Sequence, residues 1–165
     1  MIDRSVLSGA YFSQEHVARH QLDSYNNFVE FNLQKVVNEQ RIVETEIVNR
    51  GKNQEPVWVE LGTIRVEKPI VREADGSQSK LYPTEARLRN LTYAAPMILT
   101  MTLHQGDKIF EPMETTIGQL PVMIGSKVCN LCGLSVDERT EQGEDPSDPG
   151  GYFIVNGTER VLMSL

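Results

Sequence analysis

The chain has 165 residues, 39% of them hydrophobic, and its 16 Lys and Arg against 23 Asp and Glu give a formal net charge of −7. This length and composition fit one globular domain with a sizeable core, and no apolar run approaches the 18 residues of a membrane span. Because phosphates repel an acidic molecule, nucleic acid binding through overall charge is also excluded, and any such contact needs a local basic patch.

The N-terminal residues lack the apolar core of a signal peptide, so we expect a cytoplasmic protein. The first predicted element is a helical segment over residues 14–40, with Ser13 as its N-cap. Its apolar residues recur at spacings of three and four and predict one stripe that packs on a sheet: Leu22, Tyr25, Val29, Leu33 and Val36. Weak helix formers at residues 23–27 predict a bend or two consecutive helices there.

After Arg41 the apolar residues alternate with polar ones, which is typical of half-buried antiparallel strands. One strand would place three side chains on one face: Val43, Thr45 and Ile47. A strand pattern is also predicted in residues 56–71, where Gly62 permits a bulge between two sets of side chains that share a face: Val57, Val59 and Leu61 before it, and Ile64 and Val66 after it. Asp75-Gly76 then predicts a turn.

Residues 85–104 predict one or two further strands, in which Pro96 marks an edge or a break. Another strand is predicted within residues 113–123, followed by a short helix or turn at 124–135. The acidic residues, prolines and glycines of 137–151 predict a mobile loop between core elements. We see no domain boundary before that loop.

The end of the chain predicts a β-hairpin, because Asn156-Gly157 stands between apolar runs at 152–155 and 161–163. The second run has neither a turn nor a polar ending, so we expect its partner strand to lie outside these 165 residues. The exposed edge at 161–165 would then favour self-association. The whole pattern predicts an α+β fold, with an N-terminal helical segment packed on an antiparallel sheet that ends in the Asn-Gly hairpin.

No enzyme motif accompanies these elements: there is no G-x-G-x-x-G, no P-loop and no nucleophile elbow. We therefore predict no catalytic residue. One alternative function is a zinc-stapled protein interaction module, since His16 and His20 with the C-x-x-C pair Cys129 and Cys132 would provide four tetrahedral ligands. The competing interpretation is two reduced cysteines and two surface histidines.

Basic residues are concentrated between Arg65 and Arg89, where six of them stand against four acidic residues and leave a local charge of +2. The basic residues are Arg65, Lys68, Arg72, Lys80, Arg87 and Arg89. If residues 86–89 are a strand, Arg87 and Arg89 project from one face, a geometry that suits phosphate contacts. The alternative is that both arginines pair with glutamates on a solvent face.

Two stretches, LYPTEARLRNLTYAAPM at 81–97 and GGYFIVNGTERVLMSL at 150–165, resemble the second-largest, beta-type subunit of multisubunit DNA-directed RNA polymerase. The resemblance runs along nearly the whole chain and is closest to the archaeal form, in which this subunit is often split into two polypeptides. It implies that residues 1–165 are the first part of the protrusion domain, and that the lobe and the remaining subunit are absent. The pattern at 151–161 is highly specific to this family.

The resemblance implies a non-catalytic region that forms one wall of the DNA cleft, near upstream DNA and the RNA:DNA hybrid. The implied partners are the other polymerase subunits, DNA, the hybrid, initiation factors and a NusG-type elongation factor, with no membrane. The family's catalytic metal is held by aspartates of the largest subunit, and the polymerase uses Mg and Zn in other regions, so no cofactor is implied here. Arg160 joins Arg65, Arg87 and Arg89 as a candidate for nucleic acid contact, because its strand lies beside the cleft in bacterial relatives.

Overall fold

The computed structural model describes residues 4–12, 16–44 and 56–163. The helical elements are α1 (Arg4–Phe12), α2 (His16–Asn27), a π-helical turn (Phe28–Asn32), α3 (Leu33–Glu39), α4 (Pro83–Leu88) and α5 (Val136–Glu141). The strands are β1 (Ile42–Glu44), β2 (Val57–Val66), β3 (Ile70–Arg72), β4 (Gln78–Lys80), β5 (Ala94–Gln105), β6 (Lys108–Ile109), β7 (Met113–Pro121), β8 (Phe153–Val155) and β9 (Thr158–Arg160). Helices together with antiparallel strand pairs confirm the predicted α+β class.

The chain forms two compact units, each built from separate stretches of sequence. The first unit contains Met1–Asn27, Lys68–Ala95 and Leu120–Leu165, and the second contains Phe28–Glu67 and Pro96–Gln119. The sequence predicted no boundary in this part of the chain. Hydrophobic periodicity identifies single elements, whereas their grouping depends on contacts between residues that are distant in sequence.

The second unit holds a five-stranded sheet in the order β1-β2-β5-β6, with β7 also paired to β5. The β2 and β5 register shifts between Leu61 and Ile64, which confirms the predicted bulge at Gly62. A side chain at Gly62 would lie 3.2 Å from the carbonyl oxygen of Thr100. The bulge leaves backbone groups outside the ladder, and the amide of Gln34 on α3 satisfies two of them: it donates to the Gly62 carbonyl and accepts from the Ile64 N–H, both at 3.0 Å.

The predicted interruption of the N-terminal helix occurs as the π-helical turn, directly after residues 23–27. A π turn adds a residue to the helical repeat, so the inward-facing position moves from Val36 to Val37. Accordingly Val36 is 56% exposed and Val37 is buried. The prediction of a single stripe ending at Val36 is therefore wrong.

The apolar stripe predicted along the N-terminal helical segment is also divided between the two units. In the first unit Tyr25 is buried, its hydroxyl donates to the Pro121 carbonyl at 2.8 Å, and its ring meets the edge of Phe153 at 5.6 Å. In the second unit α3 packs on β2. The predicted N-cap, Ser13, lies outside the described residues.

Several predicted strands and turns are confirmed. Strand β2, strand β7 and the Asp75-Gly76 turn between β3 and β4 lie where the sequence placed them. The predicted break at Pro96 is not observed, because β5 continues through it from Ala94 to Gln105, although Pro96 lies one residue beyond the last β2 and β5 pair, Val66 with Met97. Strand β1 covers Val43, whereas Thr45 and Ile47 lie outside the described residues.

Two predictions of irregular or extended structure are wrong. Residues 83–88 form α4 rather than a strand, because Pro83 at the first helical position, Glu85 in the first turn and Arg87 in the last turn all favour a helix. Residues 136–141 form α5 rather than a mobile loop. Ser135 and Glu138 make a capping box at its N-terminus, a signal present in the sequence.

The terminal hairpin is confirmed as β8 and β9, with Phe153 opposite Arg160 and Val155 opposite Thr158. Asn156 and Gly157 have φ values of 50° and 73°, the left-handed values that the tight turn requires at both central positions. The prediction that the second arm lies in the apolar run 161–163 is wrong: the strand is 158–160, and residues 161–163 form no strand and are exposed. Self-association through that segment stays a prediction.

The hairpin is held in the first unit by close backbone contacts. The Gly157 N–H donates to the Leu91 carbonyl at 2.9 Å, and the Tyr93 N–H donates to the Ile154 carbonyl at 2.9 Å. Helix α2 approaches Gly151 so closely that a Cβ there would lie 2.8 Å from the Ala18 methyl. The glycines around the hairpin are therefore required by turn geometry and by packing.

Candidate nucleic-acid interface

Arg87 in the last turn of α4 is the centre of a polar network in the first unit. Its guanidinium donates to three groups: Glu144 Oε2 at 3.1 Å, Glu159 Oε1 at 2.9 Å and the Tyr152 hydroxyl at 2.7 Å. Glu159 lies on β9 and Tyr152 immediately precedes β8. Arg87 therefore connects α4 to both ends of the terminal hairpin.

Glu144 is the buried acid of this network, with a side chain only 4% exposed. One carboxylate oxygen accepts from the Thr84 N–H at 2.5 Å and from the Thr84 hydroxyl at 2.7 Å. Tyr82, at the N-cap position, makes no side-chain capping bond. Glu144 thus serves as a distant cap for α4, where unpaired N–H groups and the helix dipole favour a negative charge.

The electrostatics of the network favour the ion pair. Burial works against the charge of Arg87, but the carboxylate of Glu144 and the neighbouring acids outweigh it, so the guanidinium pKa is raised. Burial, and then the hydrogen bond to Asp148, raise the pKa of the Tyr152 hydroxyl. The tyrosine therefore stays neutral, donating to Asp148 while it accepts from Arg87.

Arg89 and Arg65 are also paired with carboxylates. Arg89 contacts Glu73 at 2.7 Å and Glu85 at 2.6 Å, and Arg65 makes a two-pronged contact with Glu114 at 2.5 and 2.7 Å. The strand geometry predicted for Arg87 and Arg89 is wrong, because Arg87 lies in α4 and Arg89 is its C-cap. Both arginines pair with glutamates, as in the alternative considered for the sequence, but only Arg89 does so on a solvent face, because the Glu144 partner of Arg87 is buried.

Arg160, the last residue of β9, differs from the other three candidates. It is exposed, and within the part of the chain that the structure describes its side chain makes no hydrogen bond or ion pair. Its strand is fixed through Glu159 to Arg87. The Arg160 guanidinium is therefore unpaired, while its strand is held by the ion pair between Glu159 and Arg87.

Sequence reasoning missed the acids and the tyrosine of the network, because no local pattern connects Glu144 or Glu159 with Arg87 across 57 and 72 positions. The start of α4 did have a local signal, since Pro83 precedes Thr84 and Glu85 in the manner of a helix N-terminus.

The zinc hypothesis gains no geometric support from the described residues. Cys129 is fully buried, with its sulfur 3.4 Å from the Tyr93 hydroxyl, whereas Cys132 is exposed. The described residues contain no group of three or more His, Cys, Asp or Glu that could hold a metal ion. His20 is among them, and the side chain of His16 is outside the described set. No described helix is both long and apolar enough to cross a membrane.

Comparison with known proteins identifies the class. The model of the RNA polymerase beta subunit family matches residues 16–165. The chain therefore belongs to that family, and its relatives place it with the N-terminal region of the archaeal second subunit.

Several similar proteins are archaeal polymerase subunits. DNA-directed RNA polymerase subunit Rpo2N of Halobacterium salinarum is 50% identical over 98% of this chain, and its counterpart in Methanocaldococcus jannaschii is 48% identical over 96%. Subunit Rpo2 of Saccharolobus solfataricus is 47% identical over 94%. The chain spans 32%, 31% and 13% of these relatives, respectively.

Proposed function

We propose that this region is a non-catalytic part of a DNA-directed RNA polymerase and forms one wall of its DNA cleft during transcription. The family match over residues 16–165, with half of the residues identical to an archaeal Rpo2N, carries the proposal. The region supplies a folded wall, and the reaction is carried out by other parts of the polymerase. Its partners are the other subunits, template DNA, the RNA:DNA hybrid, initiation factors and a NusG-type elongation factor.

Within this wall we assign the nucleic acid contact to Arg160. Its guanidinium is exposed and unpaired among the described residues, so phosphate binding does not require an existing ion pair to break. The neighbouring Glu159 is turned to Arg87 at 2.9 Å, which offsets its repulsion of a phosphate. The other three candidates would each have to release a carboxylate before binding a phosphate, so we rank them below Arg160 as nucleic acid contacts: Arg65, Arg87 and Arg89.

The proposal is tested by reconstituting the polymerase with the complete beta-type subunit that carries this region, or with the same subunit lacking it. We expect the deletion to abolish assembly or promoter-directed RNA synthesis. Normal assembly and synthesis without the region would contradict the wall function.

The assignment of Arg160 has its own test. In the complete enzyme, Arg160→Gln should reduce the slope of log affinity for DNA against log salt concentration by about 0.9, the contribution of one duplex phosphate contact. Lys108→Gln is the matched control, because Lys108 is exposed and has no ion pair among the described residues. Equal slopes for Arg160→Gln and the unmodified enzyme would remove Arg160 from the interface.

A further inference from the structure

The hairpin formed by β3 and β4 carries two basic residues that the proposed function does not use. Ile70 pairs with Lys80 and Arg72 pairs with Gln78, so these four side chains share one face of the hairpin. The opposite face carries Val71, which is buried. Arg72 and Lys80 are diagonal neighbours on the outward face, about 7 to 8 Å apart at their backbones.

Both cations are available for binding. The side chains of Arg72 and Lys80 are exposed, and neither side chain makes a hydrogen bond or ion pair within the described residues. Their two companions on this face, Ile70 and Gln78, are uncharged. The face therefore has a charge of +2 without a compensating carboxylate.

The acids next to this hairpin are already engaged. Both oxygens of Glu73 accept from Arg89, at 2.7 and 3.2 Å, and this contact lowers the pKa of Glu73. Asp75 accepts from the N–H and hydroxyl of Ser77 at 2.9 and 2.7 Å. Both carboxylates are thus held by partners of their own.

The base of the hairpin is fixed to the core of the first unit. The buried amide of Asn130 donates to the Pro69 carbonyl at 2.8 Å and to the Leu81 carbonyl at 2.7 Å, one on each side of the hairpin. The Leu81 N–H also donates to the Pro69 carbonyl at 3.1 Å. Because both strands are hydrogen-bonded to the core at their base, the backbone positions that carry the two cations are held in place.

We propose that Arg72 and Lys80 on the outer face of the β3 and β4 hairpin form a second phosphate-binding surface for the nucleic acid that passes through the polymerase. This inference rests on the proposed polymerase function and adds a contact separate from Arg160. Two long cationic side chains at diagonal positions can reach one phosphate or two successive phosphates. The contacts are to the backbone, so they position nucleic acid without reading its sequence.

The test measures salt dependence in the reconstituted polymerase containing the complete beta-type subunit. The probe is a labelled DNA duplex with an RNA:DNA hybrid bubble, and the variant is Arg72→Gln with Lys80→Gln. We expect the slope of log affinity against log salt to fall by roughly 1.4 to 1.8, the value for two phosphate contacts on single-stranded or duplex nucleic acid. The conservative variant Arg72→Lys with Lys80→Arg should keep the original slope.

The matched control neutralises two other exposed cations, Lys35 and Lys108, which also have no ion pair among the described residues. Lys35→Gln with Lys108→Gln changes the net charge equally and should leave the slope unchanged. An equal fall in both double variants would show an effect of total charge and would overturn the proposal. An unchanged slope in the hairpin variant would also overturn it.

These outcomes are separable from failure of the proposed function. If Arg160→Gln lowers the slope and the hairpin variant does not, the cleft wall stands and the second surface is rejected. If the hairpin variant loses a subunit or a protein factor at an unchanged slope, the hairpin binds an acidic protein surface, and the proposal is wrong. As an independent measurement, a photoreactive residue in place of Gln78 should crosslink to the labelled nucleic acid, and exclusive crosslinking to protein would contradict the inference.

Discussion

Two groups of basic residues in the first unit show how differently the same charge can be used. Arg87 in α4 and Arg89 at its C-cap are held by carboxylates at 2.6 to 3.1 Å. Arg160 on β9, with Arg72 and Lys80 on the β3 and β4 hairpin, has no such partner within the described residues. The comparison separates cations that stabilise the fold from cations that remain available to bind phosphate.

The largest expected effect comes from removing the acid of the α4 network. Glu144→Ala leaves the Thr84 N–H without its acceptor and removes one carboxylate from Arg87, and we expect a loss of about 3 kcal/mol in the free energy of unfolding. Urea unfolding measures the loss. Glu141→Ala is the control, because Glu141 is exposed. Equal stability of the two variants would refute the capping role of Glu144.

The second prediction contrasts an ion-paired arginine, Arg87, with an unpaired one, Arg160. Arg87→Ala leaves Glu144 and Glu159 without their cation, and should destabilise the chain by about 2 kcal/mol. Arg160→Ala should change stability by less than about 0.5 kcal/mol. Hydrogen exchange at the amides of β8 and β9 should accelerate in the Arg87 variant alone. Faster exchange in the Arg160 variant would contradict the prediction that Arg160 does not stabilise the fold.

Arg89 should have a smaller effect, because its pairs with Glu73 and Glu85 are exposed to water. We expect Arg89→Ala to lower the urea midpoint of unfolding by less than Arg87→Ala does, because solvent screens the exposed pairs. A double-mutant cycle with Glu73→Ala isolates the pair. A coupling as large as the effect of Glu144→Ala would mean that Arg89 is as important to the fold as Arg87.

The smallest expected effect is a dependence on pH. The hydrogen bond from Arg89 lowers the pKa of Glu73 below its ordinary 4.5, so the unfolded chain takes up a proton more readily than the folded one. Stability from this group is complete above pH 4.5 and is lost as pH falls through the folded-state pKa. Urea midpoints on both sides of pH 4.5 should therefore decline less on acidification in Glu73→Gln than in the unmodified chain. An identical decline would assign the acid sensitivity to other carboxylates.

Much of the fold could be predicted from local patterns. The α+β class, strand β2 with its bulge at Gly62, and the Asn156-Gly157 hairpin follow from the period of the apolar residues and from turn chemistry. The signals for α4 and α5 were present as Pro83 at a helix start and as the Ser135 capping box. At α4 the alternation of residues 86–89 suggested a strand, and at α5 the acidic, proline- and glycine-rich composition suggested a loop. Both helices are short, so they contain too few residues to establish a helical period.

The sequence by itself determined the family, the main strands and the terminal hairpin, because motifs, period and turn residues are local properties of the chain. Only the tertiary structure decided that residues 16–39 divide between two units, that Val37 replaces Val36 on the inward face, and that Glu144 caps α4. It also decided which cations remain unpaired among the described residues. The physical reason is that the Arg87 ion pairs depend on a few ångströms between atoms that folding brings together from positions 57 and 72 residues apart, and no local pattern contains that distance.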